Sequence, residues 1–519
     1  MRSASSSESN DVAPPASPST VMDQLNDVEV SVLIVGGGPH GLAVLSALHE
    51  RSLVYPQLGL DHARSHGMSF ESLQKIGSVG VMDPGLHFCD DWNTRFEALK
   101  IEHLRSPAFA HPKAYEPVAL MNFAVSQGRE HELLNVPVLA SSARYASAMD
   151  ENEGSQPALF GQPTQALFRD FCASLEAGLP HQWVRGRAVQ VRKNPGTGKF
   201  RVRYEHGGAS GWVAADAVVL ATGPTGKLNI PAPFIPFVDS GCVTHTAEFV
   251  RNGKTVASMV SQIAGDTGRT RMLVIGGGLT AAQAALAAVG AGSQVVLRSR
   301  RPLVTRKYDL SKEWLDHRHA ARLLSEFHNT PIDERHKMVK GEVGGGSVPE
   351  SYMQELHRVA GTSDRLELQV SEEIGCSVVS VQDGKVHVDG DVFDHVILAT
   401  GSSAAPGLNP LYQQVAAEFE LPTVDHLPEL DDELRWADGG NLHVVGANAV
   451  LELGPGALNL MGAQRGAKIV AGALRDLMWT GGKAASAEGV AAHNKFSLLG
   501  LDTDDDGSSD YEDSDDDGQ

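Results

Sequence analysis

Residues 30–48 read Val-Ser-Val-Leu-Ile-Val-Gly-Gly-Gly-Pro-His-Gly-Leu-Ala-Val-Leu-Ser-Ala-Leu. Val30 to Val35 form a short apolar run of the kind that makes a buried strand, and Leu42 to Leu48 continue as small and apolar residues of helical character. Between them Gly36, Gly38 and Gly41 have the G-x-G-x-x-G spacing. In such a turn Gly36 permits the sharp reversal. Gly38 lets the backbone approach a pyrophosphate, and Gly41 lets helix and strand pack closely. The phosphates would rest on the amides and the positive end of the new helix. The spacing alone is common, but a strand before it and a helix after it predict a dinucleotide-binding unit.

A second unit strengthens this expectation. Residues 271–283 run Arg-Met-Leu-Val-Ile-Gly-Gly-Gly-Leu-Thr-Ala-Ala-Gln, a strand followed by G-x-G-x-x-A at Gly276, Gly278 and Ala281. Each turn is followed downstream by short strand patterns and then by the same motif. It is Asp216-Ala-Val-Val-Leu-Ala-Thr-Gly223 in the first half and Asp394-His-Val-Ile-Leu-Ala-Thr-Gly401 in the second. In the first half those patterns are Ala188 to Val191, Phe200 to Tyr204 and Trp212-Val213. In the second they are Cys376 to Val381 and Lys385 to Val388. The expected fold class is α/β, with two Rossmann-like dinucleotide-binding domains.

The acid that should hold a ribose hydroxyl normally stands about 20 residues past the glycines. Asp61 is near that distance, but Leu58-Gly59-Leu60 before it makes a poor strand, and residues 52–75 look like an insertion. The better strand is Ser78 to Met82, which ends at Asp83. In the second unit the corresponding strand, Gln294 to Leu297, ends in Arg298-Ser299-Arg300-Arg301. An acid there would repel a 2′-phosphate, whereas arginine clamps it. Arg298 and Arg300 therefore predict NADPH as the second nucleotide.

Residues 86–117 hold Phe88, Trp92, Arg95, Phe96, His103, Arg105, His111 and Tyr115, a plausible irregular wall for a flat ring. Gly454-Pro455-Gly456-Ala457-Leu458-Asn459-Leu460 precedes a helix whose N-terminus would favour developing negative charge. Residues 303–360 read as a helical insert, on the substrate side or as a lid.

Composition sets the remaining bounds. The chain has 519 residues and a formal net charge of −21. Ten acids and no Lys or Arg fall within 502–519, so about half of that charge sits in the tail. There is no basic stripe, which argues against nucleic acid. The four cysteines, Cys89, Cys172, Cys242 and Cys376, form neither a C-x-x-C redox pair nor a zinc-ligand spacing, and the scattered histidines predict no metal site. No apolar run approaches the ~20 residues of a membrane span, and residues 1–28 lack a secretory signal. A cytoplasmic protein is expected, with an organelle as the alternative, having a disordered leader and a disordered acidic tail that is free to bind a protein partner.

The layout resembles the two-dinucleotide-binding flavoproteins, and most nearly the FAD- and NADPH-dependent N-hydroxylating monooxygenases of the lysine and ornithine hydroxylase-like group. Their first turn, G-x-G-P-x-x-L-A, is matched by Gly36, Gly38, Pro39, Leu42 and Ala43. The paired Leu-Ala-Thr-Gly strands and the segment Trp92 to Pro107 are also similar. Three departures stand out. The ribose acid is displaced to Asp83, and Ser402 follows the second Leu-Ala-Thr-Gly where an aromatic is usual. The related F-x-G-x-x-x-H pattern is met at Gly241 and His245 but has Asp239 in place of Phe.

The resemblance implies an NADPH domain inserted into a discontinuous FAD domain. The boundaries would be 29–265 and 375–482 for FAD and 268–374 for NADPH, with 1–28 and 483–519 outside the domains. It implies FAD at Gly36, Gly38, Gly41 and Asp83 and NADPH at Gly276, Gly278, Ala281, Arg298 and Arg300, with Pro39, His40, Thr222, Gly223, Gly401, Gly454 and Leu460 as further cofactor-binding residues. Trp92, Arg105 and Asn459 would border the reacting ring and the substrate. The implied activity is oxygen transfer from O₂, through a flavin hydroperoxide, to a small nucleophilic substrate. The alternatives are a reductase that passes electrons to a quinone-type acceptor, and a flavin-bound regulatory or scaffold protein.

Overall fold

The computed structural model describes residues 28–54, 77–134, 161–223, 227–264, 270–402, 409–436, 440–475 and 477. Asp61, the leader and the acidic tail lie outside them.

The first turn joins β1 (Val28–Val35) to α1 (Pro39–Val54). The chain continues through β2 (Val79–Asp83), α2 (Asp90–Leu99), α3 (Gln165–Ala177), β3 (Gln182–Arg185), β4 (Arg187–Lys193), β5 (Phe200–His206) and β6 (Ala209–Leu220). These strands make one sheet in the order β3-β2-β1-β6-β5-β4. β2 pairs parallel to β1 with Val35 opposite Met82, as expected from Ser78 to Met82. The meander β4-β5-β6 is antiparallel. Trp212-Val213 and the Asp216 motif, read separately in the sequence, are a single strand. Its first half pairs with β5 and its second half lies parallel to β1, Leu220 opposite Val35. One long strand serves both because apolar residues alternate inward over the meander and then become wholly buried.

The second unit begins with β7 (Val243–His245). It continues through β8 (Arg271–Ile275), α4 (Leu279–Gly290), β9 (Gln294–Ser299), α5 (His317–Asn329), α6 (Ile332–Val343) and β10 (Leu366–Val370). Next come β11 (Val379–Gln382), β12 (Lys385–Val388), β13 (Asp391–Phe393) and β14 (His395–Leu398). The second sheet has the order β10-β9-β8-β14-β7, and β11-β12-β13 form a separate antiparallel layer. Two apolar cores cover the two faces of this sheet.

The second sheet draws on strands outside 268–374. Strands β7 and β14 belong to the second sheet, and the meander β11-β12-β13 lies beside it as its own layer, its apolar residues sharing a core with that sheet. The strand expected to begin at Cys376 begins at Val379, after a helical turn at Ile374–Cys376. The chain returns to the first sheet at β15 (Leu442–Val444), which pairs parallel to β6. It ends in α7 (Val450–Leu453) and α8 (Leu460–Ala473), the latter packed along α1. Among the described residues no helix is long and apolar enough to cross a membrane.

The insert 303–360 is docked on the first domain. Phe327 and Val339 are part of the first core. Glu452 of α7 receives His328 at 3.2 Å and Arg335 at 3.2 Å. Arg335 also donates to the Leu451 and His328 carbonyls.

Candidate functional site

The two turns are built alike. The Gly36 amide donates to the Met82 carbonyl at 2.9 Å, and the Gly276 amide to the Arg298 carbonyl at 3.0 Å. A Cβ on Gly36 would lie 2.3 Å from the Ala221 carbonyl oxygen, and one on Gly276 would lie 2.4 Å from that of Ala399. Both glycines have positive φ, +120° and +156°, so only glycine fits. Each Leu-Ala-Thr-Gly segment thus closes directly over its own turn. A Cβ on Gly41 would meet the Gly36 oxygen at 2.1 Å, and this is the helix–strand contact that demands glycine. In the second unit fully buried Ala281 takes that place.

At the first turn Gly38 has no atom within 4 Å of its Cβ direction, which leaves the face over the amides open. Pro39 opens α1, where no amide is needed. Asp83 ends β2 beside the turn. Its carboxylate accepts from the Gly37 and Gly85 amides, both at 2.8 Å, and burial raises its pKa. Burial pulls His40 down to about 4, against a hydrogen bond to the Asn459 main chain, so the ring is neutral. Its Nδ1 is sealed from solvent and unpartnered. Thr222 and Gly223 follow β6. Asn448, which sequence reasoning did not assign, reaches the Thr222 hydroxyl and the Gly223 carbonyl at 3.5 Å each.

Between the domains lies a cavity of about 980 Å³. Gly276 to Thr280, Arg300 and Gly401 line one side, and Trp92, Phe96, Arg105, Leu458 and Asn459 the other. Trp92 and Phe96 stack with centroids 5.0 Å apart, and the Trp92 Nε1 is buried without a partner. The wall expected to be irregular here is the helix α2, which sets this pair on one face at i and i+4. Asn459 caps α8, its side chain accepting from the Met461 amide at 2.9 Å, so the positive end of α8 is at the cavity wall. An open glycine cradle, an acid at the strand end, two sealed unpartnered ring nitrogens and a flat aromatic wall fit a dinucleotide carrying a planar ring.

Three expected residues have other surroundings, and a fourth, Arg105, lines the cavity while its guanidinium is engaged elsewhere. Arg298 is buried, and its guanidinium is held by Asp389 and Gln369, each at 3.0 Å, beneath the β11-β12-β13 layer. Arg300 follows the last residue of β9, is free of its pleat, and lines the cavity. Arg105 braces the domains together. It donates to the Arg306, Tyr308 and Ser347 carbonyls and pairs with Asp309 at 2.6 Å. Leu460 is a core side chain, only 1% exposed. Gly454, at φ +72°, faces Trp314 and Leu324 of the insert. The insert itself supplies Asp309, Val343, Gly345, Gly346 and Ser347 to the cavity, which no periodicity in the sequence signalled.

Residues 117–323 match the family model described as pyridine nucleotide-disulphide oxidoreductase. No curated protein matches in sequence. Among solved structures the chain is similar to the reduced form of the ornithine hydroxylase from Pseudomonas aeruginosa (16% identity, 87% of this chain and 100% of that one, TM-score 0.60). It is also similar to the FAD-bound cadaverine monooxygenase of the desferrioxamine biosynthetic pathway from Erwinia amylovora (17% identity, 90% and 100%, TM-score 0.57). A third is the ornithine N-hydroxylase of Kutzneria sp. 744 with reduced FAD, NADP⁺ and L-ornithine (16% identity, 86% and 99%, TM-score 0.59). These likenesses establish the fold: two Rossmann-like domains, as the paired turns imply.

Proposed function

We propose that this protein is an FAD-dependent, NADPH-consuming monooxygenase acting on a small nucleophilic substrate, with an aliphatic amine as the leading class. The observation that carries this reading is that the chain builds two dinucleotide turns alike, and that the second of them lines a cavity walled by Trp92 and Phe96 and by the capped N-terminus of α8. None of the four cysteines lines that cavity, so the site offers no dithiol for disulfide chemistry. The amines named for the similar proteins, ornithine and cadaverine, support the substrate class. So does Asp309, the one carboxylate among the lining residues, which is half exposed at the wall.

In this reading the Gly36–Gly41 turn holds the FAD diphosphate, and Asp83 orients toward its ribose. Neutral His40 ties α1 to the cap of α8. The α8 N-terminus at Asn459 stabilises negative charge that develops on the ring. Gly276, Gly278 and Ala281 form the NADPH cradle, with Arg300 at the 2′-phosphate. Trp92 and Phe96 exclude water from the reacting face. Bound FAD supplies hydride acceptance from NADPH and delivery of electrons to O₂. Asp309 holds the substrate's cationic end.

The test is NADPH oxidation by the purified yellow protein in the presence of diamines, amino acids, thioethers and ketones, with product and peroxide quantified. Amine-dependent oxidation with a hydroxylated product supports the reading. Oxidation that needs an added quinone and leaves every amine intact would make the protein a reductase, and negligible turnover a scaffold. A colourless protein that FAD does not reconstitute would overturn the flavin assignment itself.

A further inference from the structure

The two turns differ in one respect. Gly38 faces open space, but Gly278 does not. A Cβ on Gly278 would lie 3.2 Å from the Cα of Gly346, in the insert's run Gly344-Gly345-Gly346. Conversely, a Cβ on Gly346 would stand 2.9 Å from both the Cα and the N of Gly278. Two glycine backbones therefore lie directly on each other, a contact that any side chain at either position would break. The second glycine of this motif is where a dinucleotide's pyrophosphate must approach the backbone. The strap 344–346 stands in that approach.

Arginines hold the strap in place. Arg306 donates to the Glu342 carbonyl at 3.0 Å and the Val343 carbonyl at 3.3 Å. Arg105 reaches the Ser347 hydroxyl at 3.0 Å. Arg301 donates to the Gly344 carbonyl, and that residue is exposed two positions past β9, at the end of the strand where a 2′-phosphate is recognised. Gly344 and Gly345 have φ of +64° and +87°, so the strap takes a conformation that L side chains rarely adopt.

We propose that the strap 344–346 gates the second nucleotide site, with Arg301 as its latch. The 2′-phosphate of NADP(H) opens it by taking Arg301 from the Gly344 carbonyl. The inference rests on the assignment of the second turn to a dinucleotide. An arginine–phosphate pair is charge-assisted and frequently bidentate, so it displaces a single bond to a neutral carbonyl. A nucleotide without the phosphate must break the same bond with nothing to replace it. Arg301 then adds selectivity for NADP(H) beyond direct contact, because it biases the open state.

The experiment measures NADP⁺ and NAD⁺ binding to the FAD-loaded protein by calorimetry and stopped-flow fluorescence, with hydrogen exchange read across 342–348. A strap closed about 90% of the time weakens apparent affinity about tenfold. Gly346→Val cannot seat on Gly278, so it should recover about that factor for NAD⁺. In the wild type the observed NADP⁺ association rate should saturate with concentration, and amides 345–347 should exchange faster once NADP⁺ is bound. Arg301→Gln should lower the preference for NADP⁺ over NAD⁺.

Gly346→Val binding NAD⁺ no better than wild type, or stronger protection of 345–347 with NADP⁺, would overturn the gate while leaving the site assignment standing. Should Gly346→Val fail to fold, the wild-type exchange and saturation measurements decide. If the wild type binds neither nucleotide at millimolar concentration, the dinucleotide assignment falls and the gate with it.

Discussion

Lowering the pH from about 7.5 to about 5.5 should destabilise the folded chain by about 4 kcal/mol through three histidines alone. His111, His395 and His443 are 0%, 4% and 1% exposed. The His111 Nε2 donates to the Pro117 carbonyl at 3.2 Å, and its Nδ1 is sealed without a partner. The His443 Nδ1 donates to the Glu433 carbonyl at 3.0 Å, and its Nε2 is sealed likewise. A second proton on either ring would be a buried donor with no acceptor. His395 is bonded to the Thr244 hydroxyl at 2.9 Å. Burial pulls His111 and His395 down to about 4, and burial with the nearby Arg435 charge pulls His443 to about 3.

The folded values lie below the unfolded one, so the unfolded chain takes up protons first as pH falls. The stability is therefore present above about pH 6.5 and is lost progressively toward about pH 4. At about pH 5.5 each site favours the unfolded state by roughly tenfold, or ~1.4 kcal/mol, which makes about 4 for three. That is a large part of a typical 5–15 kcal/mol of stability. Burial raises Glu50 and Asp83, which act with the opposite sign, centred lower in pH. The assay is the urea midpoint across this pH range, followed through buried Trp183 and Trp436. With His40, pulled down to about 4 in the same way, the slope should correspond to about three to four protons near pH 5.5, and to about one fewer in His443→Gln. A flat profile, or an unchanged slope in that variant, would refute the reasoning.

Other predictions concern the site and its supports. Arg300→Ala should weaken NADPH binding by about 1.5–3 kcal/mol with NADH unaffected, as titrated by calorimetry. Arg298→Ala should instead lower thermal stability, by about 2 kcal/mol, and leave the NADPH to NADH ratio alone. A shifted ratio would restore Arg298 to the nucleotide site. Gly41→Ala drives a Cβ to 2.1 Å from the Gly36 oxygen, so the purified variant should be colourless while the second domain still binds NADP⁺. Glu452→Ala removes the carboxylate that Arg335 and His328 share while leaving their main-chain acceptors, and should cost about 2 kcal/mol, with faster proteolysis of the insert. An unchanged melting temperature would rule out the docking role of Glu452.

Both turns, both closing strands and the meander between them were legible in residues 30–48, 216–223, 271–283 and 394–401. That is because local sterics write them. A turn at positive φ whose Cβ position is filled by a carbonyl admits only glycine, and a strand buried on both faces must be apolar throughout. Asp83 was legible for the same reason, as the acid at the end of a strand beside the turn.

What the tertiary structure decided depends on where separate segments meet. Arg298 and Arg300 are both arginines of one run, and only the packing of Gln369 and Asp389 against the end of β9 makes the first a buried ion pair, while the second, past the strand, lines the cavity. The insert's role came from Glu452, Arg335 and His328 meeting across more than a hundred residues of chain. The glycines at 344–346 looked like a loop in the sequence, and their contact with Gly278 exists only because the insert folds back over the second turn. Short-range backbone constraint is written into neighbouring residues, whereas the pairing of distant surfaces depends on packing that no local pattern records.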